Sequence, residues 1–376
     1  MASIRVKNLT KTFKNTTAVN ALNLEIADGE FFCILGPPGA GKTTLLRLIV
    51  GLEKPDKGEI IIDDENVNSI HPSKRDISMI FQNLALYPDK TVFDNIAFPL
   101  RQQKTPEDEI GTKVTEIAKQ LKIDWLLEKI PSQLSGGERQ RVAIGRAIVR
   151  KPKAYLMDEP LSNLDALLRL EMRMSLKELQ TDLKETFVYV THDQVEALSM
   201  GDRIAVMNNG VIQQVDKPET IYRMPTNMFV ATILGNPPMN FLKCALKAEN
   251  SKVNIIHKAF TISTGDKSFK EKLIADSKEK NIVLGLRPED IRINTEKPKE
   301  SSIRTEIYVT EPLGNETIVD IKLGDNIIKV LTEPDFPGKP GQPIWITFNC
   351  SKLHIFHDET HECVYHATEK NKFEIV

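Results

Sequence analysis

Eight consecutive residues, Gly36-Pro37-Pro38-Gly39-Ala40-Gly41-Lys42-Thr43, fit the spacing of a phosphate-binding loop, Gly-x4-Gly-Lys-Thr. Gly39 and Gly41 let backbone approach phosphate oxygens, and the helix opening at Thr44 offers unpaired amides there. Lys42 supplies a point charge for the outer phosphates, and the Thr43 hydroxyl can ligate magnesium. The apolar run Phe31–Leu35 before the loop and the helix-like Thr44–Ile49 after it give the strand–turn–helix context this chemistry needs. A second candidate is Asp158-Glu159, at the end of the apolar run Ala154–Met157. There Asp158 would hold magnesium, directly or through water, and Glu159 would point at an attacking water. Taken alone, such a pair after a strand is more often a polar turn. The third cluster is Leu134-Ser135-Gly136-Gly137-Glu138-Arg139-Gln140-Arg141. Ser135 caps a helix running through Ile144 and Ile148, and Gly136 and Gly137 leave its first amides bare, a second place built for an anion. Alone it reads as an ordinary capped helix. Two phosphate-seeking helix ends with a single loop lysine are accounted for by a nucleotide clamped between two copies of the chain.

The elements that must carry these residues follow from periodicity. Strands are predicted at Ile60–Ile62, Ile77–Phe81, Ala154–Met157, Phe187–Val190 and Ile204–Met207, with helical stretches between the last four. The clearest helix runs from Ala166 to Lys184, where Leu168, Met172, Leu176, Leu179 and Leu183 recur at spacings of three and four. Strands alternating with helices predict an α/β core with a largely parallel sheet. Asp28-Gly29 before Phe31 and Asn209-Gly210 before Val211 both read as hairpin turns. The span from Leu84 to Gln133 has helical patterns and no convincing strand, and reads as a helical insertion. After Gly235-Asn236-Pro237-Pro238 the texture changes to short alternating runs at Val253–Ile256, Asn281–Leu286, Ile303–Val309, Thr317–Ile321 and Ile344–Phe348, with one candidate helix at Ser268–Ser277. That pattern predicts a small barrel or sandwich and a domain boundary near residue 238.

Composition excludes several classes. The 376 residues carry a net charge of −2 and 27% charged side chains, so no global positive field attracts nucleic acid or anionic lipid. Mean hydropathy is −0.27, and no stretch nears the ~20 apolar residues of a membrane-spanning helix. Met1–Val6 alternates like a strand and lacks the apolar core of a signal peptide. Cys33, Cys244, Cys350 and Cys363 are scattered without CxxC spacing, which favours reduced thiols over disulfides or a zinc site.

In order along the chain, the phosphate loop, Leu-Ser-Gly-Gly-Glu, Asp158-Glu159, Leu161-Ser162-Asn163-Leu164-Asp165 and Val190-Thr191-His192-Asp193 resemble the ATP-binding-cassette ATPases. The resemblance implies that Gln82 senses magnesium and couples to a partner. It also implies that Phe13 stacks on adenine, His192 contacts the γ-phosphate, and Ser162–Asp165 lie at a dimer seam. Ser135, Gly136 and Gly137 would close on the nucleotide of the opposing subunit. Catalysis then falls to Glu159, His192 and Lys42. ATP contacts fall to Phe13, Gly36 to Thr44, Gln82, Ser135 to Gly137, Asp158, Glu159 and His192, and magnesium to Thr43, Gln82 and Asp158. Gln82–Pro88, Thr191–Leu198, Pro237–Leu242, Leu286–Asp290 and Glu311–Gly314 resemble the carbohydrate-importer, maltose-type branch, and the tail from His354 to Glu362 is a weaker match. The fold this implies is a P-loop NTPase, a RecA-like α/β core with a helical subdomain at about 84–150, over residues 1–238. An all-β, oligonucleotide-binding-like regulatory domain follows over 239–376.

The resemblance further implies a homodimeric, peripheral ATPase on the cytoplasmic face of the membrane, served by permease subunits and a solute-binding protein and binding no nucleic acid. Leu84, Leu86 and Tyr87 are the candidate surface for a permease helix, unless they are core. Pro38 departs from the family, which has serine or threonine there. Proline lacks both amide and hydroxyl, so weaker nucleotide binding is expected. Other cargo (polyamine, glycerol phosphate or an anion) and a soluble ATPase acting on nucleic acid or ribosomes are the alternatives. The neutral charge, the single cassette and the lack of aromatic-basic interleaving weigh against the last.

Overall fold

The strands of the first part of the chain are β1 (Ile4–Phe13), β2 (Thr16–Ile26), β3 (Phe31–Leu35), β4 (Lys57–Ile62), β5 (Glu65–Asn66), β6 (Ile77–Ile80), β7 (Ala154–Asp158), β8 (Thr186–Thr191), β9 (Arg203–Asn208) and β10 (Val211–Asp216). They were traced in a computed structural model that describes residues 2–249, 252–266, 269–270, 279–371 and 373–376 and forms two compact units, Met1–Ile221 and Tyr222–Val376. In the first unit β10-β9-β3-β8-β7-β6 make one sheet, parallel except for β9–β10, and β2-β1-β4-β5 make a second, antiparallel one. Strands β3, β7 and β8 are buried along their whole length, as uninterrupted apolar runs in a covered parallel sheet should be. One consequence is that the carboxyl ends of β3, β7 and β8, in register as neighbours, deliver the phosphate loop, Asp158-Glu159 and His192 to the same edge.

The Asn209-Gly210 hairpin forms, with both residues at positive φ as a tight β9–β10 turn requires. The Asp28-Gly29 hairpin does not. β2 ends in the antiparallel sheet and β3 enters the parallel one, so the turn passes the chain between sheets. Helices α1 (Lys42–Val50), α2 (Val92–Gln102), α3 (Glu107–Gln120), α4 (Gly136–Ile148), α5 (Ala166–Leu183) and α6 (Gln194–Met200) complete the unit. α2, α3 and α4 pack together over Ile96, Leu100, Val114 and Ile144, giving the helical insertion. No described helix is long and apolar enough to cross a membrane.

The second unit is antiparallel throughout. A seven-stranded and a five-stranded sheet share one core, to which Leu246, Ile255, Leu284 and Ile355 contribute from the first and Val319, Ile321, Val330 and Ile346 from the second. Residues 222–238, assigned by sequence texture to the first domain, cluster with this unit for identifiable reasons. The Arg287 guanidinium is buried, donates to the carbonyls of Leu234 and Tyr222, and lies 3.8 Å from the Tyr222 ring. Met228 N–H donates to His361 O and Cys363 N–H to Thr226 O. The candidate helix at 268–277 lies outside the described residues, apart from Phe269 and Lys270.

His354 and His366 face each other across paired strands with their Nδ1 atoms 2.8 Å apart, so one ring donates and the other accepts. Burial, reinforced by His366, pushes His354 down to about 3 from 6.5. A base depressed in the folded state takes up its proton first in the unfolded one. Stability is therefore complete above pH 6.5 and falls as pH drops from there toward 3. At pH 5 the loss should be about 2 kcal/mol relative to pH 7.5. Denaturant unfolding followed by Trp345 fluorescence in a Trp125→Phe background measures it, and His354→Leu should flatten the dependence.

Candidate functional site

The phosphate loop connects β3 to α1, and its shape is set by close backbone approaches. A Cβ at Gly36 would lie 2.3 Å from Met207 O, and one at Gly41 2.1 Å from Ala18 O, with Gly41 at φ +101°. Only glycine fits either place. Gly39, also at positive φ, meets nothing within 4 Å and faces open space. A cavity of about 700 Å³ opens here, lined by Asn15–Ala18, Pro38–Thr44, Gln82, Glu159, His192 and Asn209.

Lys42 is only 4% exposed. Its ammonium donates to Gly36 O (2.9 Å) and Pro37 O (3.0 Å) and lies 3.3 Å from Glu159 Oε1. The Thr43 hydroxyl donates to Asp158 Oδ1 at 2.9 Å. Burial raises the Asp158 carboxyl above the usual range, and the Thr43 hydrogen bond pulls it partly back. A desolvated carboxylate beside a hydroxyl is a donor set that suits a hard divalent cation. Gln82 lines both the main cavity and an adjoining one of about 360 Å³ shared with Thr43, Arg47, Phe81, Asn83, Asp158 and Asn163.

Glu159 stands at φ +45°, its N–H donating to Val190 O at 3.0 Å and its carbonyl accepting from the Ser162 hydroxyl at 2.9 Å. A left-handed glutamate held from both sides signals a side chain aimed by its surroundings. The carboxylate's Oε2 is 2.9 Å from His192 Nδ1. Lys42, Thr43, Asp158, Glu159 and His192 thus form one connected cluster beside the loop.

Other predicted residues lie apart from it. Ser135 caps α4, its Oγ accepting from Glu138 N while Glu138 Oε2 accepts from Ser135 N. Gly137 permits α4 to approach α5, since a Cβ there would meet Leu168 at 2.7 Å. Neither lines the main cavity. Gly136 borders a separate space of about 160 Å³ with Gln82, Asn163 and Leu164. Phe13 is 42% exposed at the end of β1, with Lys11 Nζ 5.2 Å above its ring, and the cavity rim begins two residues on, at Asn15. Leu84, Leu86 and Tyr87 are part-exposed. Tyr87 packs tilted against Phe98, ring centroids 4.5 Å apart, and Arg146 donates to the carbonyls of Leu84 and Ala85, both at positive φ. Sequence reading missed Asn15–Ala18 and Arg47, which line these cavities without belonging to a short motif.

Comparison with known proteins places this geometry. The model described as ABC transporter matches residues 19–162, that of the MalK OB fold domain 235–291, and that of the TOBE domain 284–356. The trehalose/maltose import ATP-binding protein of Thermococcus litoralis is 44% identical over 97% of this chain and 100% of its own length. The oligosaccharides import ATP-binding protein of Bacillus subtilis is 43% identical over 96% of this chain and 99% of its own. The sn-glycerol-3-phosphate import ATP-binding protein of Psychromonas ingrahamii is 46% identical over 86% and 83%. Among solved structures, a dimeric ATP-binding cassette in a post-hydrolysis state with ADP and Pi is 34% identical, with a TM-score of 0.53, over 57% of this chain and 98% of that one.

Proposed function

The chain belongs to the ABC transporter family as an ATP-binding subunit, and on that premise we propose that it powers uptake of a sugar or sugar derivative through a separate transmembrane permease. It is an ATPase coupled to transport. The observation that carries the site assignment is the connected cluster of Lys42, Glu159 and His192 at the mouth of the phosphate loop.

In this reading Lys42 leaves the loop carbonyls for the outer phosphates, while the glycine-rich backbone and the α1 N-terminus receive the rest. Thr43, Asp158 and Gln82 hold magnesium, which neutralises phosphate charge when bound. Glu159 accepts the proton of the attacking water, with His192 fixing its carboxylate and meeting the terminal phosphate. Phe13 flanks the base. Ser135, Gly136 and Gly137 lie outside the cavity of their own chain, which supports a second copy presenting them to the same nucleotide. The working form is therefore a homodimer with two sandwiched nucleotides, peripheral on the cytoplasmic face of the membrane and fed by a solute-binding protein. The segment Leu84–Tyr87 receives a permease helix, and the C-terminal β unit regulates.

Sugar is preferred as cargo because the trehalose/maltose relative matches at 44% identity over its whole length; a near-full-length glycerol-phosphate import relative, of Bartonella bacilliformis, is 42% identical, so that solute stands in the test beside the sugars. Uptake of labelled maltose, trehalose, glycerol 3-phosphate and a polyamine by cells lacking this chain tests it. Loss of a sugar alone, restored by the wild type, is expected. Loss of only a non-sugar solute would overturn the cargo, and no loss of any would overturn the transport role.

A further inference from the structure

Glu159 and His192 reach one another from different loops, Glu159 at the end of β7 and His192 at the end of β8, and their 2.9 Å contact demands that the loops keep a fixed separation. We propose that Arg169, on the first turn of α5, is the positioning residue that sets this separation for the ATPase reaction. The inference rests on the reading that the pair acts on ATP.

Two hydrogen-bonding arms of one guanidinium make the link, with a longer charge contact beside them. Arg169 Nη2 donates to Leu164 O at 3.1 Å. Leu164 closes the turn that begins at Glu159, because Leu164 N–H donates to Leu161 O and Ser162 N–H to Glu159 O. Arg169 Nη1 donates to Asp193 Oδ2 at 3.3 Å, and Asp193 follows His192 directly. The other oxygen of Asp193 caps α6, accepting from Val195 N (2.7 Å) and Glu196 N (3.3 Å), so the residue after His192 is fixed to a helix end. Arg169 Nε lies 3.9 Å from Glu196 Oε1.

Glu196 is itself held rigidly. Its Oε2 accepts from the Thr191 hydroxyl (2.6 Å) and the Tyr189 hydroxyl (2.9 Å), both on β8. Thr191 Oγ1 in turn accepts from Asp193 N at 2.9 Å. The guanidinium therefore spans from the turn after Glu159 to a hydrogen-bonded frame around His192. A planar fork can hold a carbonyl and a carboxylate at once, which an ammonium cannot do in the same geometry. Arg169 touches neither the loop lysine nor the cavity lining, so it acts through the two loops.

Steady-state ATPase kinetics of the purified full chain, with equilibrium MgATP titration and thermal unfolding, tests the proposal. Arg169→Ala should lower kcat by about tenfold or more while KM, MgATP affinity and Tm stay near wild type. Arg169→Lys should recover part of kcat, because one of the two links survives. Asp193→Asn keeps the helix cap and removes one link. It should lower kcat severalfold, and in that background Arg169→Ala should cost less than alone. Unchanged kcat in Arg169→Ala, full recovery with Lys, or additive effects with Asp193→Asn would each overturn the role. If Arg169→Ala does not fold, Arg169→Lys and Asp193→Asn decide alone, and unchanged kcat in both overturns it. Glu159→Gln run in parallel separates the failures. If it hydrolyses ATP normally the site reading fails, and if it is dead while Arg169→Ala is fully active only this proposal fails.

Discussion

Replacing Glu159 with glutamine should leave MgATP binding within about twofold of wild type and lower steady turnover by about a thousandfold, the middle of the range for a lost general base. The side chains are isosteric, and the backbone features that aim residue 159 survive: the N–H bond to Val190 O and the Ser162 hydroxyl on its carbonyl. What vanishes is a carboxylate 2.9 Å from His192 and 3.3 Å from Lys42. The neutral amide cannot accept the proton of an attacking water at neutral pH. Binding persists because the loop backbone, Lys42 and Thr43 do not depend on that charge. Lys42, freed of its ion pair, is if anything more available to phosphate. Phosphate release against time and an equilibrium nucleotide titration give the two quantities. Retained turnover would remove Glu159 as the base, and lost binding would make it a binding residue.

The second large effect is expected at Ser135, which lines no part of the nucleotide cavity of its own chain. Ser135→Asp conserves helix capping, since aspartate is an N-cap equal to serine, so folding stability should change by less than about 0.5 kcal/mol. The added carboxylate would sit at the bare amides of α4, where the dimer reading brings the outer phosphates of the partner's nucleotide. Like charge at that contact should lower turnover of the assembled transporter by about a hundredfold, while nucleotide binding to the isolated chain is untouched. Activity near wild type would exclude a role for that helix end.

How far the sequence could be read depended on whether a feature was local. The loop, the Asp158-Glu159 pair and the Ser135 cap are each written in a few adjacent residues with one backbone solution, and they formed as such. The Asp28-Gly29 hairpin failed because an Asp-Gly turn looks the same whether the next strand pairs with the last one or leaves for another sheet. Pairing of β3 with β8 and β9 is decided more than 150 residues away. Residues 222–238 are held within the second compact unit, through Arg287 on the Leu234 carbonyl and Cys363 N–H on the Thr226 carbonyl, contacts that linker composition does not reveal. Arg169 was invisible because a helix arginine four residues from its N-cap, Asp165, has no motif. Only the fold brings Leu164, Asp193 and Glu196 around it.

A dimer that shares its nucleotides should be caught in the Glu159→Gln chain, because bound ATP persists there. Sedimentation velocity of that variant with and without saturating MgATP is the direct measurement. A nucleotide-dependent shift from one chain to two, abolished by adding Ser135→Asp, is predicted. A strictly monomeric species at saturating MgATP would contradict it.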